Sequence, residues 1–417
     1  MKCDVLILGG GGAGLAAAVA AARMGAHVAL VERNGALGGM ATAALVHSIC
    51  GLYLLREEPG AVLAHRGLPG EFAERLIRAG ASCGPVRMGR LDVLPHSPPG
   101  FAAVADTLAA ECAETRLHTE LIATEGNGRI EAVEVICRGV RTRIEPLAVV
   151  DASGDAALSM LAGARTEQTE AGQLQRPAFI FGLHTVEVGA LGDDARIRLA
   201  GMIAEAVCSG RLERGALGAQ FRASGRGSEV YVTIDLAGSD DYDPTSPEQL
   251  SSLERDGRRL AVAIHHFLRA EHAAFASAEL SAFPARVGVR ESRRVVGEAI
   301  VTAADVQRGT ETADVVALGT WPMELREKAT GPRWRFPDGL RPTQIPLGAL
   351  KVAGIANLWA AGRCISCEHE AQAALRVIGT CMATGQAAGV AAALQASSGA
   401  RPTAAAVRAK IETEVQR

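Results

Sequence analysis

Four arginines, Arg286, Arg290, Arg293 and Arg294, crowd into nine residues of a 417-residue chain, with Glu291 among them. A planar guanidinium grips a carboxylate through two parallel hydrogen bonds, so Arg290 is a candidate anchor for an acidic substrate. The same run also reads as a solvated helix face, with Glu291 and Arg294 paired at i,i+3 spacing. His369 stands between Glu368 and Glu370, which suits a general acid–base or, when charged, an anion anchor. A ring that merely holds a loop through a backbone hydrogen bond is the plainer reading. Arg376, two helical turns on, is a second candidate for carboxylate binding. Cys364 and Cys367 have the spacing of a redox or metal pair, but no second C-x-x-C and no His pair accompany them. Structural thiols are expected there, and no metal.

Elements that would position such groups are visible from the first residues. Asp4 to Leu8 is a short apolar run of the kind that forms a strand buried on both faces. Gly9, Gly11 and Gly14 follow in G-x-G-x-x-G order, then an Ala-rich helix from Leu15 to Met24, with Gly25 placed to stop it. A second strand, His27 to Val31, ends in Glu32. In such a unit Gly9 makes the tight turn, Gly11 lets the backbone approach a pyrophosphate, and Gly14 brings helix and sheet together. The helix N-terminus offers N–H groups to the phosphates, and Glu32 is placed to accept from a ribose hydroxyl. An acid there favours FAD or NAD over NADP.

A second glycine pair, Gly38-Gly39, would let the chain pass close to a ligand extending beyond the pyrophosphate. Leu147 to Asp155 and Asn357 to Arg363 each read as a buried strand entering a small-residue turn, and a Gly/Ala helix follows from about Thr380, its proposed N-cap. No second glycine fingerprint lies mid-chain, so a built-in NAD(P)H domain is not expected. Leu117–Ile122, Arg129–Ile136 and Val140–Ile144 read as a β-meander with turns at 126–128 and 138–139. From about residue 166 to 340 the charge becomes mixed, a loop is expected over 237–241, and Ser246-Pro247 should open a long helix through His272.

Composition narrows the class. The chain is 48% hydrophobic and 21% charged, with formal net charge −3, and lacks the basic stripe a nucleic-acid partner requires. Aromatic residues are scarce, with nine Phe, three Trp and three Tyr. Nine scattered cysteines, an odd number, read as reduced thiols in a cytosol rather than a disulfide framework. The Met1-Lys2-Cys3-Asp4 start lacks a signal-peptide n-region, and Gly379–Leu394 is too short for a membrane span. A cytoplasmic protein is expected.

The whole pattern resembles the FAD-dependent oxidoreductases that share a nucleotide-binding domain with succinate dehydrogenase and fumarate reductase flavoprotein subunits. It is most similar to the soluble bacterial group. The motifs that carry the resemblance are Gly9–Gly14 with Glu32, Leu37–Thr42, Asp151–Asp155, Gly288–Arg294, Ala361–Ser366 leading to His369-Glu370-Ala371, Arg376 and Gly385–Gly389. The resemblance implies an α/β fold: a Rossmann-like FAD-binding domain of GR type, parallel sheet plus β-meander, with an inserted α+β substrate or cap domain. The expected division is 1–165 and 341–417 for the FAD-binding domain and 166–340 for the cap. It implies that FAD is bound by Gly9, Gly11, Gly12, Ala13, Gly14, Glu32 and Arg33, and by Gly38, Gly39, Met40, Ala41 and Thr42. Ala152, Gly154, Gly362, Arg363, Thr380, Cys381 and Met382 would close over it.

The same resemblance places Arg290, His369 and Arg376 at the flavin as the catalytic set, Arg376 facing a substrate carboxylate or the flavin carbonyls. Non-covalent FAD is expected, because the flavin-linking His of the respiratory relatives precedes the double glycine whereas His47 follows it. A link through His47 or Cys50 is the lesser alternative, and pocket lining by Cys50 and Tyr53 the better one. The expected reaction passes a hydride between a small polar, acidic substrate and flavin N5, with a separate electron donor or acceptor. A flavin monooxygenase or halogenase is the alternative, although an aromatic-poor chain argues against it. A non-redox protein that keeps flavin structurally is the other.

Overall fold

The computed structural model describes residues 1–224, 227–236, 241–328 and 331–415. Lys2–Leu8 forms the central strand, with Val5, Leu6 and Ile7 fully buried. It pairs in parallel with Val28–Val31 on one side and with the second half of Val140–Asp151 on the other. Glu114–Arg116 and Leu358–Ala360 extend the sheet at either side, both also parallel. The register sets Leu8 beside Val31 and Asp151, and Asp151 beside Ala360. Four strand ends therefore open onto one crevice, the usual ligand edge of a parallel sheet.

The first half of Val140–Asp151 instead pairs antiparallel with Ala132–Cys137, which pairs with Glu120–Glu125. This is the expected meander, its first two strands each starting three residues later than expected. Arg138 and Gly139 both have positive φ, as a tight hairpin turn demands.

Two helices of small residues flank the crevice. Gly12–Arg23 runs back from the glycine loop and ends before Gly25, whose φ is +86°. Ile378–Ser398 packs along it so closely that a Cβ on Gly385 would lie 2.1 Å from the Ala13 carbonyl oxygen. One on Gly389 would lie 2.2 Å from the Ala17 oxygen. Gly385→Ala must spread two backbones, so it should cost about 3 kcal/mol. A thermal midpoint within about 2 °C of the parent would show that the helices part freely.

The long helix does not begin at Thr380. Its N-cap is Val377, without a side-chain cap, and Thr380 lies inside the first turn. The Gly379 N–H donates to the Cys50 carbonyl at 2.9 Å, so a free helix-end donor is met by a neighbouring loop instead of a hydroxyl. The preceding helix, His369–Leu375, meets this one at 93°. No single helix among the described residues is long and apolar enough to cross a membrane.

The inserted part has its own core. Gln220–Ala223, Val230–Asp235, Ala178–His184 and Glu279–Ala282 form an antiparallel sheet in that order. Phe179, Phe181 and Val232 of this sheet share a core with Phe275, with Ile203 of the helix Asp193–Cys208 and with Ile264 of the helix Pro247–Glu271. The latter opens as expected: the Ser246 side chain accepts from the Gln249 N–H, and Pro247 is the first helical residue. Of the loop expected over 237–241, residues 237–240 lie outside the described residues. Val295, Val301, Val306, Met323 and Ile345 return to the first core.

The arginine run is not a helix. Residues 285–293 are irregular, and only Arg294–Val295 forms a short strand, paired with Thr166–Glu167. Gly288 exchanges both backbone hydrogen bonds with Ala178, which commits the segment to the edge of the inserted sheet. Arg290, Glu291 and Arg294 are buried, so none of them faces solvent.

Candidate active site

A cleft of about 260 Å³ occupies the crevice at the strand ends. Gly9, Gly11, Gly12 and Ala13 form one wall, and Gly38, Gly39 and Met40 another. Glu32, Arg33, Ala152, Gly154, Gly362, Arg363 and Cys381 complete the expected residues found in its lining. The Glu32 carboxylate accepts from the Gly10 N–H at 2.6 Å and the Asn34 N–H at 2.8 Å. It is thereby fixed at the end of the second strand.

The cleft also gathers cations. Arg363 pairs with Asp155 at 2.6 Å, Arg33 approaches the same carboxylate at 3.5 Å, and Ser292 donates to it at 2.7 Å. Burial alone would raise the Asp155 carboxyl; Arg363, Ser292, Arg33 and Arg286 outweigh it and hold the group below its usual range. Arg286 lines the cleft with a buried Nε that has no hydrogen-bond partner. Burial and the neighbouring Arg33 push its guanidinium down to about 10, still charged at neutral pH. An unpaired buried donor is a costly arrangement unless an acceptor completes it.

Beyond the cleft lies a chamber of about 1110 Å³. Met40, Arg363, Arg376 and Ile378 line both spaces. Here Arg290 pairs with Asp235 at 2.7 Å, and Arg326 pairs with Asp235 at 2.8 Å and Glu324 at 2.7 Å. Arg290 also donates to the Arg176 carbonyl at 2.5 Å. Arg376 reaches the Gln175 amide oxygen at 3.2 Å and the Glu324 carbonyl at 3.3 Å, while its buried Nε has no hydrogen-bond partner. Burial pushes Arg376 down to about 10.

His369 lines neither space. Its Nδ1 lies 2.8 Å from Glu291 and its Nε2 3.3 Å from Glu327. Burial would lower it, but these two carboxylates prevail and raise it above the usual histidine range. Glu291 in turn pairs with Arg294 at 2.7 Å, the i,i+3 contact, made here on extended chain. Gly14, Ala41, Thr42, Thr380 and Met382 stand behind the lining. A Cβ on Gly14 would lie 1.7 Å from the Gly9 oxygen, and Met382 packs under Gly12. Thr42 donates to the Leu37 carbonyl, and the Thr380 hydroxyl is buried without a partner. Cys364 and Cys367 are buried free thiols with raised pKa, Cys367 at about 12, both set first by burial. Among the described residues no cluster could hold a metal ion.

Residues 4–415 match the family described as FAD dependent oxidoreductase. The chain belongs to that family. This FAD-dependent oxidoreductase matches no protein of curated function. Its solved structural neighbours include a geranylgeranyl bacteriochlorophyll reductase-like protein of Thermoplasma acidophilum, 13% identical, covering 100% of this chain and 82% of that one at TM-score 0.48. A flavin-dependent brominase is 11% identical, covering 100% and 84% at TM-score 0.45. An aromatic hydroxylase from angucycline biosynthesis is 14% identical, covering 72% of this chain and 54% of its own at TM-score 0.41.

The cleft suits the FAD that this oxidoreductase uses. Space lies over Gly11, where an added Cβ would meet nothing nearer than Gly39 at 3.9 Å, and the orphaned Arg286 donor waits beside it. Gly9 to Ala13 and Arg286 would hold the pyrophosphate and Glu32 the ribose. Neither His47 nor Cys50, the candidates for a covalent link, lines the cleft; both line the chamber.

Arg222, Asp235, Glu324, Arg326 and Trp321 were not foreseen from the sequence, and Arg286 and Asp155, though within quoted motifs, were given no role there. Of the five unforeseen residues, Glu324 alone carried a readable signal, a single charge within the apolar run from Val315 to Leu325.

Proposed function

We propose that this oxidoreductase carries out a two-electron oxidation or reduction of an anionic small molecule held in the larger chamber. The observation that carries the reading is Arg376, charged and with an unpartnered buried Nε, in the wall common to cleft and chamber. Among the described residues that line the chamber, eight arginines, Arg222, Arg290, Arg326 and Arg376 among them, share one carboxylate, Glu324, while Asp235 pairs with Arg290 and Arg326 from outside the lining. Arg290, the anchor expected from sequence, spends its donors on Asp235 and a backbone carbonyl. Arg376 and Arg222 take the substrate anion instead.

When bound, FAD supplies the redox step, taking up or returning a hydride at N5. The accompanying proton is assigned to His47, which lines the chamber. Its Nδ1 lies 3.2 Å from the Leu45 carbonyl, so an Nδ1–H tautomer leaves Nε2 as an acceptor without a hydrogen-bond partner. Burial first, then Arg222, holds its pKa down to about 4, which keeps the ring neutral, with its Nε2 lone pair free to accept, at physiological pH. His369 serves as a positioning residue between Glu291 and Glu327. The catalytic cycle closes with a separate electron donor or acceptor.

The test begins with oxidised holoenzyme and a panel of acids, alcohols and amines, read as bleaching near roughly 450 nm. With an acid that bleaches it, Arg376→Ala should slow the reaction about 100-fold at unchanged flavin content. An undiminished rate removes Arg376 from the substrate site; loss of flavin reassigns it to the cofactor. One feature favours a hydroxylase or halogenase as second reading: Trp321, Trp334 and Phe336 all line the chamber. Oxygen uptake coupled to substrate oxygenation or halogenation would establish it.

A further inference from the structure

The chamber's walls differ in chemistry. The cationic wall at Arg376 and Arg363 is shared with the cofactor cleft, whereas Trp321, Trp334 and Phe336 line the chamber alone. Two of the chain's three tryptophans stand there, although only 4% of its residues are aromatic. Such concentration in one cavity is unlike a composition spread evenly through cores.

The aromatic wall is built and held. The Trp321 indole N–H donates to Glu324 at 3.0 Å, which ties the ring to the ion network. Trp334 lies 5.9 Å from Trp321 at 60° and 6.3 Å from Phe336 at 25°. Arg90 covers Phe336 at 5.7 Å, but Trp334 remains 38% exposed. A part-exposed ring in a cavity wall, beside two other rings, offers a surface to a further aromatic group. A cavity of about 1110 Å³ also exceeds what a two- to four-carbon acid fills.

We infer that the substrate is an aryl-substituted carboxylic acid, its carboxylate at Arg376 and Arg222 and its ring against Trp334 and Phe336. This rests on the anionic-substrate reading above and adds the nature of the body attached to the anion. The reacting carbon then lies near the carboxylate end, because that end borders the cofactor cleft.

Three probes separate the two ideas: 3-phenylpropionate, propionate and 3-phenylpropanol, titrated into holoenzyme and followed by calorimetry and the flavin difference spectrum. 3-Phenylpropionate should bind at least about tenfold more tightly than either of the others. In Trp334→Ala that advantage over propionate should vanish, while propionate binds as before; Trp334→Phe should restore most of it. Equal binding of 3-phenylpropionate and propionate overturns the aryl inference and leaves the anion reading standing. Equal binding of 3-phenylpropanol and 3-phenylpropionate overturns the anion reading, and with it the inference. No binding of either acid up to about 10 mM overturns both.

Discussion

Gly11→Ala should purify as a folded, colourless protein. The backbone at Gly11, φ −67° and ψ −178°, is one that alanine adopts without strain. The nearest heavy atom to an added Cβ is Gly39 Cα, at 3.9 Å, an ordinary contact. Nothing within the chain therefore resists the methyl group. It enters the cleft where the glycine loop must admit the pyrophosphate, and displaces a phosphate from the N–H groups at the helix end. A loss of at least about 100-fold in FAD affinity follows, near 3 kcal/mol. The apoprotein should melt where the parent apoprotein melts. Gly14→Ala is the contrast, since its Cβ would lie 1.7 Å from the Gly9 oxygen and the turn itself must break. That variant should lose both flavin and fold. The measurement is flavin absorbance per protein after purification, then reconstitution of apoprotein with FAD. Stoichiometric yellow Gly11→Ala protein would mean that the phosphates do not pass over this residue.

The glycine loop was legible because its demands are local. Gly9 needs a φ of +98° and Gly14 a contact no side chain survives, so the residue types alone declare the turn. The Ser246-Pro247 helix start was legible for the same reason, a cap and a fixed φ within two residues. Misreadings arose where distant chain decides. Glu291 and Arg294 do pair, as helical spacing suggests, yet extended backbone brings them together because Gly288 is bound to Ala178. Thr380 has the chemistry of an N-cap, but the Cys50 carbonyl meets the helix end first. The chamber was hidden more completely. Arg222, Arg290, Glu324 and Arg376 arrive from separate segments, and no spacing in the sequence records their convergence. Composition misled in one respect: an aromatic-poor chain can still place two tryptophans in one cavity.

Acid should destabilise this chain from about pH 6.5 downward, well before its carboxylates are protonated. His47 and His96 are buried, and both have pKa values held down to about 4, first by burial. His65 is lowered as well, again by burial. In the unfolded chain each would titrate near 6.5. Between these values the unfolded state binds more protons, so stability rises with pH through the window and falls as pH drops. A shift from 6.5 to about 4 corresponds to about 3 kcal/mol for each of His47 and His96. Two other sets of groups act in different windows. His369 is raised by Glu291 and Glu327, so its contribution is present below pH 6.5 and lost as pH rises through its folded value. Asp155, Asp235, Glu291 and Glu324 are lowered against burial by their cationic or hydrogen-bonding partners, so their contribution fades only below the ordinary carboxylate range. The slope between pH 6.5 and 4.5 therefore belongs to the buried neutral histidines. Thermal midpoints at saturating FAD should fall steeply across it, and His96→Phe, whose ring would stay against Phe101, should flatten the slope by nearly half. An unaltered slope in that variant would mean that His96 is protonated in the folded chain. The same burial that makes acid costly keeps His47 neutral, and only a neutral ring can take a proton from a substrate in the chamber.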